Sequence, residues 1–148
     1  MNYETGILQN FTGQKLNLEL TGYIVKGDNM IITKPNIGLQ NAGEVDNRGI
    51  EFSCSANPSD NLAFNLTYSY THMKTPVYAT PRHNFFASVN YKYRKFKFMV
   101  SNQYINHLDS DPSANSESFE TYSLLRSKIS YQPFRFAEFF ITSAFALL

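Results

Sequence analysis

The chain contains very little cysteine, no tryptophan and no long apolar run. Cys54 is the single cysteine among 148 residues, which excludes an internal disulfide and a metal cluster held by several thiolates. We expect Cys54 to be a structural thiol that is buried or faces lipid. The longest nearly apolar stretch covers residues 139–148 and is interrupted by Thr142 and Ser143. It is far shorter than the roughly 20 residues that a membrane-spanning helix needs.

An excess of charge of one sign is also missing. The 13 Lys and Arg residues nearly balance the 12 Asp and Glu residues, so the net charge is +1 and no general attraction to nucleic acid is expected. The chain does not open with a charged segment followed by an apolar one, so we expect no signal peptide within it.

Motifs of enzymes are absent from the sequence as well. It contains no Gly-x-Ser-x-Gly, no His-Glu-x-x-His and no glycine-rich phosphate loop. The carboxylates of Glu19, Glu51 and Glu138 are dispersed along predicted strands. We therefore expect a protein that is not an enzyme and that needs no cofactor.

Aromatic side chains, by contrast, are abundant. Thirteen Phe and ten Tyr residues make up 16% of the chain, although its mean hydropathy is -0.33. Residues 62–70 show how both values arise, because large apolar residues alternate there with small polar ones. This period of two predicts a strand with one apolar and one polar face. Strands of about 9–11 such residues cross the bilayer in closed β-barrels.

The same alternation recurs along the chain and predicts an all-β fold, an antiparallel up-and-down meander of about eight strands that forms part of a transmembrane β-barrel. Turn signals rich in Pro, Gly, Asn and Asp separate the strands. The second strand is expected to run on toward Ile32, with a turn or a bulge at Gly27 and Asp28. The predicted strands cover residues 2–11, 15–26, 41–57, 62–73, 85–93, 96–104, 122–132 and 136–148.

The predicted connections alternate in length. Tight turns near Gln14, Ser59, Lys95 and Pro133 alternate with longer, polar connections at residues 34–38, 74–81 and 107–118. Transmembrane barrels have short periplasmic turns and longer extracellular loops, so this alternation favours a barrel.

The two strand parities also differ as a membrane barrel requires. Tyrosines cluster toward the predicted strand ends, where an interfacial aromatic girdle would place them. Cations fall on the other parity, which suits a hydrated lumen and would be costly against lipid. The tyrosines are Tyr68, Tyr70, Tyr91, Tyr93, Tyr104 and Tyr131, and the cations are Lys92, Lys97, Arg126 and Lys128.

Five short segments carry a family resemblance through their order and spacing. They are Asn2-Tyr3-Glu4-Thr5-Gly6; Gly22-Tyr23-Ile24 leading into Gly27-Asp28-Asn29-Met30-Ile31; Asn41-Ala42-Gly43-Glu44 followed by Asn47-Arg48-Gly49-Ile50-Glu51; Asn65-Leu66-Thr67-Tyr68-Ser69-Tyr70; and Pro81-Arg82-His83. Together they make nearly the whole chain resemble the C-terminal part of the barrel of TonB-dependent outer-membrane receptors.

The resemblance implies part of a receptor in the bacterial outer membrane. Such a receptor imports a scarce nutrient, most often a ferric siderophore, haem or cobalamin, with energy delivered from the inner membrane. The implied partners are outer-membrane lipid, the plug domain of the full receptor, the nutrient ligand, and the TonB complex through an N-terminal region that this chain lacks.

The resemblance also implies that residues 1–148 are a partial barrel. Receptors of this kind have about 22 strands around a plugged lumen, whereas this chain has about eight predicted strands and no plug domain. It finishes at Ala146-Leu147-Leu148, where the family's last strand would finish in an aromatic residue. We therefore expect an internal fragment or a truncated product.

Three histidines and two aspartates are candidate ligand contacts at the outer rim. His72 closes the fourth predicted strand, His83 opens the fifth and His107 closes the sixth, near the polar loop with Asp109 and Asp111. Imidazole is a common ligand and loops often carry binding residues, so one interpretation is contact with a ligand at the receptor mouth. The other interpretation is solvated rim residues and strand-end caps. No metal site is predicted, since no pair has a ligand spacing such as His-x-x-x-His.

Two other classes of protein remain open. One is a complete small outer-membrane barrel with a structural or adhesive role, because an even strand number near eight can close. The other is a soluble β-sandwich binding module, against which the exposed Phe and Tyr parity argues. An open sheet would leave two unpaired edges, which lipid does not tolerate. We therefore expect the isolated chain to aggregate unless it closes on itself.

Overall fold

Alternating apolar and polar residues form β-strands throughout the computed structural model, which describes residues 1–11, 13, 15–28, 31–34, 38–41, 44–74, 80–109, 119–134 and 136–147. The described residues contain no helix long and apolar enough to cross a membrane. Their strands are β1 (Asn2–Phe11), β2 (Leu16–Gly27), β3 (Ile31–Lys34), β4 (Gly38–Asn41), β5 (Val45–Ser59), β6 (Leu62–Met73), β7 (Pro81–Tyr93), β8 (Phe96–Asp109), β9 (Phe119–Phe134) and β10 (Ala137–Leu147).

Eight of these strands form one antiparallel sheet with the order β1-β2-β5-β6-β7-β8-β9-β10. Neighbours in the sheet follow one another along the chain, and only the separate hairpin of β3 and β4 interrupts the series. The predicted all-β meander of about eight strands is therefore confirmed. Within the described part of the chain β1 and β10 do not pair with each other, so the sheet is open and these two strands are its edges.

The prediction that the second strand runs on toward Ile32 is wrong. β2 finishes at Gly27, and residues 31–34 belong to β3, which pairs with β4. Lys34 lies opposite Gly38 at the turn of this hairpin, where Gly38 has a φ of 86° that favours glycine. Asn41 accordingly belongs to β4, and β5 starts four residues later than the predicted third strand.

β5, β7 and β8 each extend past one predicted strand end, because they tolerate residues that usually interrupt a sheet. β7 starts at Pro81, the first position of a strand, where the missing N–H is tolerated. β5 continues past Pro58 through a shift of register between Ala56 and Ser59. β8 continues to Asp109 through a second irregularity after Ile105.

The two ends of the sheet differ in the length of their connections. Short connections join β1 to β2, β5 to β6, β7 to β8 and β9 to β10 at one end, which we name the turn end. The connections at the other end, which we name the loop end, are longer and one of them holds the β3–β4 hairpin. The predicted alternation of short and long connections is therefore confirmed.

The apolar face of the sheet carries large side chains in rows across the strands. One row joins Leu18 in β2 to Cys54, Leu66 and Ala87 in β5, β6 and β7. Cys54 thus faces the same side as its leucine neighbours, and it is half-buried by them. Many side chains of this face remain open, with Ile141 78% exposed. A surface of this size needs an apolar environment outside the protein.

Aromatic residues border the apolar face at both ends. Toward the loop end lie Tyr70 and Tyr104, and toward the turn end lie Tyr93 and Tyr131. In β7, His83 and Tyr93 are ten residues apart, which corresponds to about 24–28 Å of height for strands tilted as in membrane barrels. The band between the two borders therefore matches the apolar thickness of an outer-membrane barrel, about 25 Å.

Candidate functional site

The polar face of the sheet is lined by small hydroxyl and amide side chains. Asn65 lies opposite Ser88, and its Nδ2 donates to the serine hydroxyl over 3.4 Å. Ser53 lies opposite Glu19 and donates to its carboxylate over 3.4 Å. Neighbouring strands thus partly satisfy one another's polar groups, and the face suits contact with water or with a polar partner.

Near the loop end of this face, one tyrosine covers a glycine. Tyr23 lies opposite Gly49, and its hydroxyl reaches across β5 to Thr71 Oγ1 at 2.7 Å. A Cβ atom added to Gly49 would lie 2.5 Å from Tyr23 Oη and from the carbonyl oxygen of Tyr70. Only glycine leaves room for this arrangement, which ties three strands together.

Charges are separated laterally across the polar face. We name Glu4, Glu19 and Glu51 the acidic zone, since they lie in the neighbouring strands β1, β2 and β5. We name Lys92, Lys97, Arg126 and Lys128 the basic zone, since they lie in β7, β8 and β9. Arg82 in β7 and the carboxylates of Glu120 and Glu138 in β9 and β10 share the same face. The residues of β6 that share this face are uncharged: Ala63, Asn65, Thr67, Ser69, Thr71 and Met73.

Two of the three histidines predicted for the rim come together at the loop end. His83 lies between Tyr70 and Asn106 in the sheet. Its Nδ1 is hydrogen-bonded to the Tyr68 hydroxyl at 2.9 Å, and its ring centroid is 4.9 Å from that of Tyr70. The His107 ring approaches edge-on at 6.5 Å. His107 has a φ of 55° in the irregular part of β8.

The other predicted rim residues are not brought into this group. His72 is exposed, two residues beyond Tyr70, and lies opposite Arg48 in β5. Asp109 is the last residue of β8, and only its backbone is described. Asp111 lies outside the described residues. Contact of the rim residues with a ligand therefore stays a prediction.

His72 and His83 share the strand parity of Tyr70, so they lie on the apolar face at its loop-end border. The alternation in the sequence already indicates this face, whereas the rim residues were predicted from their positions at the strand ends. Polar aromatic rings at such a border are typical of the belt where a membrane meets water.

Ion pairs at the loop end were not predicted from the sequence. Asp46 accepts from Arg48 Nε over 3.3 Å and lies 3.6 Å from Lys26 Nζ. Lys74 Nζ donates to Glu44 Oε2 over 2.9 Å, and this hydrogen bond raises the pKa of the Lys74 amine above its ordinary value. Glu44 is 30 residues from Lys74 in the sequence, so alternation gave no signal for their contact. Such exposed pairs contribute little to stability individually.

No metal centre is formed by the side chains that the structure describes, since no three His, Cys, Asp or Glu residues lie together as ligands.

Comparison with known proteins identifies a family for the chain. Residues 1–141 match the family model described as TonB dependent receptor-like, β-barrel. A search of curated proteins gave no significant match.

The match covers almost every described strand, and the open meander, its two unlike faces and its unlike ends fit the same architecture. Proteins of this family take up nutrients across the outer membrane and are transporters, not enzymes. The chain therefore belongs to the TonB-dependent receptor-like β-barrel family of bacterial outer-membrane proteins.

Proposed function

We propose that the chain is part of the barrel wall of a receptor that imports a scarce nutrient, most often a ferric siderophore and otherwise haem or cobalamin. The family match over residues 1–141 carries this proposal. The two faces of the sheet support it, since the apolar face suits lipid and the polar face suits a hydrated lumen. In that orientation the loop end is extracellular and the turn end is periplasmic.

We further propose that residues 1–148 are one segment of a larger barrel. The edges β1 and β10 are unpaired within the described residues. Unpaired backbone N–H and C=O groups cost several kcal/mol each in lipid, roughly, so both edges need neighbouring strands. Further strands of the same receptor would supply them and would enclose the plug domain, which in turn contacts the TonB complex.

The rim residues have a place in this proposal as part of the ligand mouth. His72, His83 and His107 lie at or near the extracellular border of the sheet. Asp109 finishes β8 at the same end, and Asp111 follows it in the sequence. Because His72 and His83 lie on the lipid-facing side of that border, a ligand would reach them only above the rim, between the extracellular loops.

The alternatives receive less support from the structure. A self-contained barrel requires β1 to pair with β10, and the sheet is open. A soluble sandwich requires two sheets packed face to face, and the eight-stranded sheet makes no contact with the β3–β4 hairpin among the described residues.

Nutrient uptake by cells tests the proposal. Cells with and without the receptor that carries this chain would be given radiolabelled ferric siderophores, haem and cobalamin one at a time. We expect one compound to accumulate only when both the receptor and TonB are present. Accumulation that persists without TonB, or no receptor-dependent accumulation of any compound, would contradict the proposal. Alanine substitutions at His72, His83 and His107 then show whether the rim affects affinity for the compound found.

A further inference from the structure

Cations at the two ends of the sheet have different partners. At the loop end, the side chains of Lys26, Arg48 and Lys74 each form an ion pair with a carboxylate. At the turn end, Arg94 and Lys95 make up the tight turn between β7 and β8, and both are exposed. In the part of the chain that the structure describes, neither of these two forms an ion pair. The turn therefore carries two positive charges that are open to a negatively charged partner.

Contacts with neutral groups hold both cations of the β7–β8 turn. The guanidinium carbon of Arg94 lies 5.4 Å from the ring centroid of Tyr93, which belongs to the aromatic border of the apolar face. Lys95 Nζ donates to the carbonyl oxygen of Pro133 over 3.0 Å, and the Gln132 N–H donates to the Lys95 carbonyl over 2.8 Å. An ammonium has three donors, so two of them remain for a partner. Both cations are thus positioned without being neutralised.

The apolar face beside this turn carries a group of aromatic rings. Phe96 lies opposite Tyr93 and Tyr131 in the sheet, and its ring centroid is 4.8 Å from that of Tyr131. The Phe98 ring is 6.2 Å from Phe96 and 6.3 Å from Tyr91. We name these five residues the ring patch, and each is between 37% and 51% exposed. Aromatic surfaces of this kind lie against acyl chains at the level of the lipid headgroups.

We propose that the β7–β8 turn and the ring patch bind an anionic phospholipid of the periplasmic leaflet, of the class of phosphatidylglycerol. Arg94 and Lys95 donate to its phosphate oxygens, since charge-assisted hydrogen bonds of guanidinium and ammonium groups suit phosphate. Its acyl chains lie along the ring patch. The inference goes beyond nutrient uptake and rests on the proposed function only for the orientation that makes the turn end periplasmic.

A lipid with a net negative headgroup fits this surface better than two related ligands do. A zwitterionic headgroup would bring a further ammonium beside two cations that already lack a carboxylate. Free inorganic phosphate would neutralise the cations but leave the ring patch without a partner. Only a phospholipid satisfies the cations and the rings together, and clusters of Lys and Arg at a membrane border attract anionic headgroups.

Binding of a fluorescent phosphatidylglycerol to the full receptor in neutral detergent micelles tests the inference. The variant Arg94→Gln/Lys95→Gln removes both charges, and Arg94→Lys/Lys95→Arg keeps them. Lys15→Gln is the matched control, because Lys15 is an exposed cation at the same end of the sheet but outside the ring patch. One cation at an anionic membrane surface contributes about a fivefold gain in affinity, so we expect the double Gln variant to bind roughly 25-fold more weakly. We expect little change for the other two variants.

The control ligands decide between a lipid site and general attraction. An equal loss of affinity for Lys15→Gln, or equal affinity of the wild type for labelled phosphatidylethanolamine, would overturn the inference. Displacement of the lipid by an excess of inorganic phosphate would also overturn it, in favour of a site for phosphate alone. Binding that resists phosphate and prefers phosphatidylglycerol supports the inference.

Folding and uptake are measured separately from lipid binding. Each variant is first checked for a folded barrel by its heat-dependent gel mobility. If the double Gln variant does not fold, Arg94→Gln alone replaces it, with an expected loss of affinity of about fivefold. A receptor that prefers phosphatidylglycerol but shows no TonB-dependent uptake would contradict the proposed function and leave this inference intact. A receptor with TonB-dependent uptake and no such preference would do the reverse.

Discussion

The two faces of the sheet belong to the same strands but require different surroundings, lipid for one face and water for the other. On the apolar face, large side chains such as Ile7 and Ile141 are 70% and 78% exposed. The folded sheet therefore needs lipid to cover them. On the polar face, pairs such as Asn65 and Ser88 are joined by hydrogen bonds and remain compatible with water. One residue step along any strand therefore moves a side chain from one solvent to another. The loss of free energy of unfolding caused by a substitution should therefore depend more on which face the side chain occupies than on its position along the strand.

The strongest test of this contrast places the same charge on both faces at one height. Leu66 faces lipid opposite Ala87, which is midway along β7 between His83 and Tyr91. The next residue, Thr67, faces the lumen. We expect Leu66→Arg to lower the free energy of unfolding by about 2–4 kcal/mol, the cost of a cation near the bilayer midplane. Thr67→Arg should cost less than about 1 kcal/mol, as for other substitutions at solvent-exposed positions. Urea unfolding of the receptor in lipid vesicles measures both, and equal losses would show that the faces are assigned wrongly.

A second test replaces, one at a time, two glycines that face opposite sides of the sheet. Gly49→Ala places a Cβ against Tyr23 and the Tyr70 carbonyl, so the ring must leave Thr71. We expect a loss of about 1–3 kcal/mol, as for other overpacked sites. Gly22→Ala is the matched control, because its new Cβ would find its nearest atom at 4.0 Å. The unfolding temperatures of the two variants in detergent, monitored by gel mobility, are compared. A Gly22 variant less stable than the Gly49 variant would refute the packing argument.

A third test compares one hydrogen bond on each face and should show the smallest effect. Asn102 Nδ2 donates to Ser123 Oγ over 2.7 Å on the apolar face. Ser123→Ala removes that acceptor where lipid offers no replacement, and we expect a loss of about 1 kcal/mol. Ser88→Ala removes the partner of Asn65 on the polar face, where water replaces it, so we expect less than about 0.5 kcal/mol. The same urea titration resolves both, and the order of the two losses is the result that matters.

Most of the fold was predictable because strand alternation is a local property. Residues 62–70 alone define both faces, and the same period predicts every strand of the main sheet. The β3–β4 hairpin was missed, since residues 31–34 continue the apolar pattern of β2 and only pairing with residues 38–41 separates them. The start of β7 at Pro81 and the extension of β5 past Pro58 were also missed, because a strand start and a bulge accept proline.

The candidate site was less accessible to sequence, because it depends on how strands align. The sequence predicts the parity of Lys92 and Lys97, but only the register makes them direct neighbours. It likewise placed His83 and His107 near one end of their strands, but their proximity follows from the irregular pairing of β8. Glu44 and Lys74 meet only because β5 and β6 are paired.

The even number of strands in the main sheet has a consequence for how such barrels change in evolution. β1 starts and β10 finishes at the loop end, so a polypeptide that enters this sheet leaves it on the same side of the membrane. Its four pairs of consecutive sheet strands can be duplicated, lost or transplanted without inverting the orientation of any strand that follows. A gain or loss of a single strand would turn every later loop toward the wrong compartment, so gene rearrangements in this family should preserve strands in pairs.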